Sequence, residues 1–322
     1  MLALHGIPLV LQVGVPLALL AWQTLAPNRS IAQWLIKTIV IAGYLGAAHR
    51  VGLWAVLPWY NSLILLVALT AIALWQLRAV RKLPWKSAPR PHWLAFAGRA
   101  SLALFTLVTL AIAVAARQPP SETIVDLQFP LRDGVYYVAA GGSTELLNPH
   151  LMTLSEKRFQ ANRGQSYGVD VLKLGPFGLR ASGLLPSDPA RYAIYGDRVF
   201  APSPGVVVHA EDGAPDMSPP QPDRTRIPGN HVLLDCAGVH VLLAHFRQGS
   251  VRVAQSEHVT TDTVVGLVGN SGNTNEPHLH IHAQRPAASG REPLSGDPLP
   301  IRLDGKYLVR NDRIISRRAA FP

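Results

Sequence analysis

Apolar residues dominate the first third of the chain in four stretches, roughly Ile7 to Leu25, Trp34 to Leu57, Leu63 to Leu77 and Trp93 to Ala116. Each approaches or exceeds the ~20 residues that cross a bilayer, and the third is the shortest. They predict four transmembrane helices over residues 1–117. The first stretch has the look of an export signal, but it has no basic segment before it and further spans follow it, so it reads as a retained helix. After Arg117 the texture changes. Gln118-Pro-Pro-Ser is a short linker. From about Thr123 brief, often β-branched runs are cut by Gly, Pro, Asn and Asp: Gly134-Val-Tyr-Tyr-Val, Gly168-Val-Asp-Val-Leu, Arg198-Val-Phe, Gly205-Val-Val-Val-His, Asn230-His-Val-Leu-Leu-Asp, Val239-His-Val-Leu-Leu-Ala and Thr263-Val-Val-Gly-Leu-Val. Short strands with turn signals at this spacing predict an all-β sandwich or barrel-like domain. Leu151 to Asn162 is the best helical candidate in this part. Residues 211–228 form a Pro-rich loop between two strands. The chain divides into a membrane region (1–117), a linker with first strands (118–145), a main β domain (146–303) and a basic tail or hairpin (304–322).

Charge changes the picture in one respect. The formal net charge of +10 would suit a nucleic-acid binder. Residues 1–116, however, contain no Asp or Glu and hold nine of the 30 Lys and Arg; the other 21 face all 20 acidic residues. The β part is therefore nearly neutral and shows no basic stripe with interleaved aromatics, so no nucleic-acid partner is expected. The excess charge reads as topology. Arg78, Arg81, Lys82, Lys86 and Arg90, between the third and fourth stretches, should face the cytoplasm, with Arg29 on the same side. Both termini, and everything after Ala116, then lie outside it: a multi-pass protein of a bacterial inner membrane with a periplasmic or otherwise extracytoplasmic β domain. His49-Arg50 sits within or at the edge of the second stretch, either snorkelling at an interface or making a polar contact inside the membrane with a partner or lipid.

The single cysteine, Cys236, excludes an intrachain disulfide and a cysteine zinc cluster. Within an apolar run it reads as a small buried hydrophobe. Nine of the twelve histidines follow Ala116. Three lie in Pro277-His278-Leu279-His280-Ile281-His282, where strand alternation puts His278, His280 and His282 on one face. Burying three imidazoles without partners is costly; a metal, a wet catalytic cleft or plain solvation of an edge strand each removes that cost. A catalytic zinc site takes three protein ligands and leaves a fourth position open. Asp170, an isolated carboxylate in an apolar strand, His150 in Asn148-Pro-His, and His245 at the end of an apolar strand are the candidate companions. Each taken alone is equally a turn, loop or rim residue.

Together these pieces resemble the lysostaphin/LytM-type zinc peptidases, peptidase family M23, over roughly Asn148 to Gln284. The motifs that carry the resemblance are Val199-Phe-Ala-Pro-Ser-Pro-Gly-Val-Val-Val, Gly229-Asn-His-Val, Ala244-His245, Gly266-Leu-Val-Gly-Asn-Ser-Gly-Asn and Pro277-His-Leu-His, in the family's order and spacing. The resemblance implies a LytM/lysostaphin-like fold, the duplicated hybrid motif, behind the four-helix membrane region. It implies Zn2+ held by His150, Asp170 and His280. His278 would act as base toward the attacking water, and His245 would stabilise the oxyanion and help orient that water. The chain departs from the family's common His-x-Gly-x-Asp, since Ser166 stands where the histidine would be. Asn148-Pro-His150 with Gln165-Ser-Tyr-Gly-Val-Asp170 is similar to a branch that takes the ligand upstream. His282 is a second departure, since an acidic residue is common there; it reads as a support for the ligands or as solvated. Gly269-Asn-Ser-Gly-Asn lacks the Gly-Lys-Ser/Thr of a phosphate loop and reads as the turn that delivers the His-x-His strand.

The function so implied is a zinc endopeptidase cutting peptide bonds in peptidoglycan stem peptides or cross-bridges, with peptidoglycan or wall peptides and the bilayer as partners, and room for a membrane partner protein. The alternative is a catalytically silent LytM-like regulator or scaffold for other wall hydrolases.

Overall fold

The structure, a computed structural model, describes residues 9–86, 93–287 and 293–317, without the side chains of 93–96. The start of the first apolar stretch at Ile7, Arg90 of the basic cluster and the last five residues of the tail lie outside the described residues. The chain divides into a helical unit that ends at Val114 and a β unit that starts at Ala115.

The helical unit contains α1 (Val10–Leu25), α2 (Ile31–Val51), α3 (Asn61–Val80) and α4 (Trp93–Ala115). Among the described residues, three segments are long and apolar enough to cross a membrane: Ile31–Val51, Asn61–Val80 and Ala97–Ala115, with mean hydropathies of 1.4, 2.1 and 1.8. α1 is apolar but shorter than these. Ile41 and Leu45 of α2 pack with Leu20 of α1 and Leu69 of α3. Between them runs a buried polar network. Gln23 donates to Gln76 Oε1 at 2.9 Å, Trp34 Nε1 donates to the same oxygen at 3.0 Å, and Gln76 returns a bond to the Gln23 carbonyl. Lys37 Nζ donates to the Ala26 carbonyl at 3.0 Å, just past the end of α1. Such bonds hold apolar helices together where apolar burial gives no preference between helix and lipid. His49, in the last turn of α2, shares a 2.9 Å hydrogen bond with Ser62 Oγ at the start of α3.

The β unit is built on a nine-stranded sheet. Its main path runs β13 (Arg313–Ser316), β2 (Gly134–Ala140), β3 (Val169–Leu174), β10 (Leu279–Arg285), β7 (Val239–Phe246), β6 (Asn230–Cys236), β5 (Gly205–Glu211) and β8 (His258–Val259), with β11 (Asp297–Leu299) paired to the far end of β10. β1 (Val125–Leu127) pairs in parallel with β12 (Ile301–Leu303), and β4 (Arg198–Phe200) pairs antiparallel with β9 (Val264–Leu267). The apolar runs in the sequence become strands at all the expected places. β6 and β7 read as nearly continuous apolar runs because they are buried on both faces. One face carries the main core, with Val171, Val232, Leu234, Val241, Leu243 and Ile281. The other carries a smaller cluster of Leu233, Leu242, Ala244 and Leu294, and beside it the polar site.

Two expectations change in detail. Leu151 to Asn162 is not one helix: a turn at Pro149–Leu151 leads into a four-residue α5 (Met152–Ser155), Glu156 is extended, and 3-10 turns follow from Lys157 to Gln165. The Asn148 side chain caps the first turn and Thr153 Oγ1 bonds the His150 carbonyl, so local side-chain bonds override helical periodicity. The tail segment Arg313–Ser316 is an edge strand on β2. The Pro-rich loop before β6 is pinned rather than loose. Asp216 accepts from the Asn270 backbone N–H at 2.6 Å and from Tyr195 at 3.0 Å, and Asn230 bonds Ala214 through both ends of its amide.

Gly229 closes that loop. Its φ is +57°, and a Cβ there would meet the Ser271 carbonyl at 2.4 Å. Gly229→Ala therefore combines left-handed strain with a backbone clash. It should lower the melting midpoint of the β unit by several degrees, an effect of about 2–3 kcal/mol, read by thermal unfolding of the purified chain. An unchanged midpoint would contradict this packing.

Candidate metal centre

The site follows from strand register. β3 and β10 pair antiparallel with Asp170 directly opposite His280, and β7 places Ala244 opposite His280 on the other side. Cross-strand partners share a face, so carboxylate and imidazole are neighbours by construction. His280 Nδ1 lies 2.9 Å from Asp170 Oδ1. His278, two residues earlier on the same face, puts Nε2 3.5 Å from the same oxygen. His150 reaches the group from the turn before α5, its Nε2 3.5 Å from Asp170 Oδ2. The ligand atoms of His150, Asp170 and His280 all lie within 4.8 Å of one another. Donors around a tetrahedral zinc with bonds of ~2.0–2.1 Å stand about 3.4 Å apart, which the His150–Asp170 separation matches.

His245 arrives by a different device. In the β6–β7 pair Ala244 faces His231 and Phe246 faces Asn230, so His245 is the extra residue of a bulge. Its φ is +65°, a left-handed conformation uncommon outside glycine. A bulge re-aims a side chain, and here it brings the His245 ring to within 4.7 Å of the His278 ring, centre to centre. Gly168 makes room on the opposite side, since a Cβ there would sit 2.6 Å from the His280 ring.

Hydrogen bonds fix which nitrogen of each ring is bare. Asn148, itself buried, accepts from His150 Nδ1 at 2.9 Å, which leaves Nε2 unprotonated toward Asp170. Asn148 is held in turn by the Gly142 and Gly168 carbonyls. His278 Nδ1 donates to the Glu276 carbonyl at 2.9 Å, and Thr274 Oγ1 lies 3.0 Å from that nitrogen. His245 Nδ1 donates to the Ser271 carbonyl at 2.8 Å. Both rings thus turn Nε2 toward the pocket lined by Gln165, Ile227, Pro228, Asn273 and Thr274. Ser166, standing where a ligand histidine would be, is fully buried and bonded to Thr153 Oγ1 and the Arg163 carbonyl. It points into that local network and is not among the converging donors.

The charge states suit a cation. Burial opposes ionisation of Asp170, but His150 and His278 beside it hold its carboxyl well below the usual range. Burial pushes His150 down to about 4 despite the pull of Asp170. His245 and His282 are also lowered well below the ordinary value, first by burial and then by neighbouring imidazoles. His278 alone moves up: burial lowers it, and Asp170 more than compensates. The result is one half-buried, ionised carboxylate beside the neutral ring of His150. Two nitrogens and one oxygen form a hard-to-borderline donor set that fits Zn2+.

Residues 191–293 match the family model described as peptidase family M23. This segment, about a third of the chain, is similar to M23 peptidases. The matched range includes His245, His278, His280 and His282; His150 and Asp170 lie upstream of it and join the site through the fold. Solved M23 structures are similar at low identity. A variant of the catalytic domain of the prophage-encoded M23 protein EnpA from Enterococcus faecalis is 18% identical, covering 41% of this chain and 73% of that one, with a TM-score of 0.28. The catalytic domain of the antimicrobial peptidase lysostaphin from Staphylococcus simulans is 21% identical, covering 38% and 70%, with a TM-score of 0.25. A putative peptidase M23 from Pseudomonas aeruginosa is 18% identical, covering 61% and 59%, with a TM-score of 0.28. No curated protein matches the chain.

Sequence reading named five of the residues around the pocket. It did not single out the groups that orient them: the Asn148 amide, the Thr274 hydroxyl, and the carbonyls of Ser271 and Glu276. A side chain in a ligand motif is visible in sequence; a carbonyl that accepts its proton is not.

The buried neutral histidines give the metal-free protein a pH dependence. His150, His245 and His282 have folded pKa values below the unfolded value of ~6.5. Below that pH the unfolded chain binds protons that the folded chain refuses, so stability is present above ~6.5 and falls as the pH drops toward 4. His231 and His240 shift in the same direction through burial, and His278 contributes with opposite sign. The melting midpoint of zinc-free protein should fall from pH 7 to pH 5, and His150→Gln should flatten that slope. A midpoint that rises on acidification would contradict the assignment.

Proposed function

We propose that the β unit is a zinc-dependent endopeptidase that cuts peptide bonds in peptidoglycan stem peptides or cross-bridges. The observation that supports this reading is the convergence of ligand atoms of His150, Asp170 and His280 within 4.8 Å of one another, with two further imidazoles lining the same pocket. His150 would hold zinc through Nε2, His280 through Nδ1, and Asp170 through its carboxylate. Zinc so bound supplies Lewis acidity toward water and a scissile carbonyl.

The chain's own residues handle the protons. His278 Nε2 accepts a proton from the attacking water; its Nδ1–H, held by the Glu276 carbonyl, keeps that nitrogen aimed at the pocket. The ring then returns the proton to the leaving amine. His245 Nε2, left bare by the bond to Ser271, accepts a hydrogen bond from the same water and orients it. Stabilising an oxyanion would need a proton on that nitrogen, so orientation is the role its tautomer favours. The Pro-rich loop contributes Ile227 and Pro228, and the segment before β3 contributes Gln165, to the pocket wall.

The three long apolar helices support membrane anchoring. We take α1 as a fourth span, Arg78, Arg81, Lys82 and Lys86 as cytoplasmic, and the β unit as facing the wall from the outer side of a bacterial inner membrane, where a membrane partner protein could meet the helices.

His280→Ala and Asp170→Ala should each abolish zinc retention and lower hydrolysis of isolated sacculi by at least ~1,000-fold. The check is metal analysis of the purified chain with release of peptide termini from the wall. Stoichiometric zinc in the wild type without cleavage of any wall preparation or peptide would replace this reading with that of a silent regulator. For the topology, a cysteine placed near Ser87 should resist a membrane-impermeant thiol reagent in intact cells, while one at Ser182 should react; the reverse pattern would overturn the orientation.

A further inference from the structure

One imidazole on the site face has no part in the chemistry above. His282 follows His280 by two residues on β10, so it shares that face, and it is fully buried. Its Nδ1 lies 2.9 Å from His280 Nε2. No solvent explains a histidine here, and apolar side chains such as Leu242, opposite it on β7, would pack at lower cost.

The two rings share a single proton's worth of choice. For His280 to offer Nδ1 to a cation, that nitrogen must be bare and the proton must sit on Nε2. A buried N–H needs an acceptor, and the atom in place is His282 Nδ1. His282 then carries its own proton on Nε2. Among the described residues, two buried imidazole nitrogens have no hydrogen-bond partner, His282 Nε2 and His231 Nε2. His231 donates Nδ1–H to the Gly229 carbonyl at 2.8 Å, so its Nε2 is an acceptor. His231 faces Ala244, as His280 does from the other side, so both rings lie on the face that His282 occupies. The small Ala244 side chain is all that stands between them in that row.

We infer that His282 is a positioning residue: it accepts the Nε2–H of His280 and thereby commits His280 Nδ1 to the metal. This rests on the zinc reading of the site and adds to it the residue that sets the ligand's tautomer. The same work is done for His150 by the Asn148 amide. The two ligand histidines use opposite ring nitrogens, and each has its own acceptor for the other one. Partners of this kind typically change metal affinity 10–100-fold when removed.

The test uses the full chain in detergent, as wild type and as His282→Phe, His282→Leu and His282→Gln. Phe keeps a ring and Leu keeps apolar bulk, but neither accepts a hydrogen bond; Gln does. Zinc affinity is read by competition with a chromophoric chelator, and the ligand field by the visible spectrum of the cobalt(II)-substituted protein. Circular dichroism of the metal-free forms selects the variants that fold. The inference requires Phe and Leu to weaken zinc by about 10–100-fold and alter the cobalt spectrum, with Gln restoring both toward wild type. Equal affinity in wild type, Phe and Leu overturns it. So does equal loss in all three variants, which would make His282 a matter of volume alone. A wild type that binds no zinc at all instead removes the metal reading beneath it, so the two failures are distinguishable.

Discussion

The antiparallel register of β3 against β10 is the constraint on which the site depends. It sets Asp170 opposite His280 and leaves carboxylate and imidazole in contact without the help of any loop. A slip of one residue would turn Asp170 toward the apolar core face, where Val171 and Ile281 now lie. That core enforces the register: Val169, Val171, Leu279 and Ile281 are all buried on the opposite side. Stability and chemistry are therefore read from alternate residues of the same two strands. The groups that complete the site are added to this pair by local exceptions to regularity. His245 comes from a bulge with a left-handed backbone, and His150 comes from a capped turn.

A second layer decides what the imidazoles can do. Each of four rings has one nitrogen committed to a neighbour: Asn148 for His150, His282 for His280, Glu276 for His278 and Ser271 for His245. The free nitrogens then face the pocket or the carboxylate. The fold sets these bonds at His150, His245 and His278 in the metal-free chain, whereas His280 Nδ1, 2.9 Å from Asp170 Oδ1, gives up a proton only where a cation takes its place. Low dielectric around the rings makes these choices costly to reverse.

Much of this was legible in the sequence, for physical reasons that differ by element. β6 and β7 announce themselves as apolar runs, and the alternation in Pro277-His-Leu-His-Ile-His fixes which histidines share a face. The carboxylate of Asp170 stands out because it is the one acidic residue in an otherwise largely apolar strand. Ser166 departs from the common ligand pattern, and the structure shows the reason it tolerates this: its hydroxyl belongs to a buried network with Thr153. The broken segment after Leu151 was hidden because periodicity does not show that the backbone turns extended at Glu156 and ends the helix at Ser155. The burial of His282 was hidden too, since an alternating strand gives the same pattern whether one face is wet or covered. Among the described helices, three are long and apolar enough to cross a membrane, while α1 falls short of them.

The central claim is that His150, Asp170 and His280 hold one zinc ion. Zinc-edge X-ray absorption of the purified full chain tests it most directly, beside the His150→Ala variant. The account predicts one zinc per chain with only nitrogen and oxygen donors at ~2.0–2.1 Å. It also predicts the outer-shell signature of two imidazoles, one of which disappears in His150→Ala. A chain that takes up no stoichiometric zinc, or one whose two-imidazole signature survives loss of His150, would contradict it.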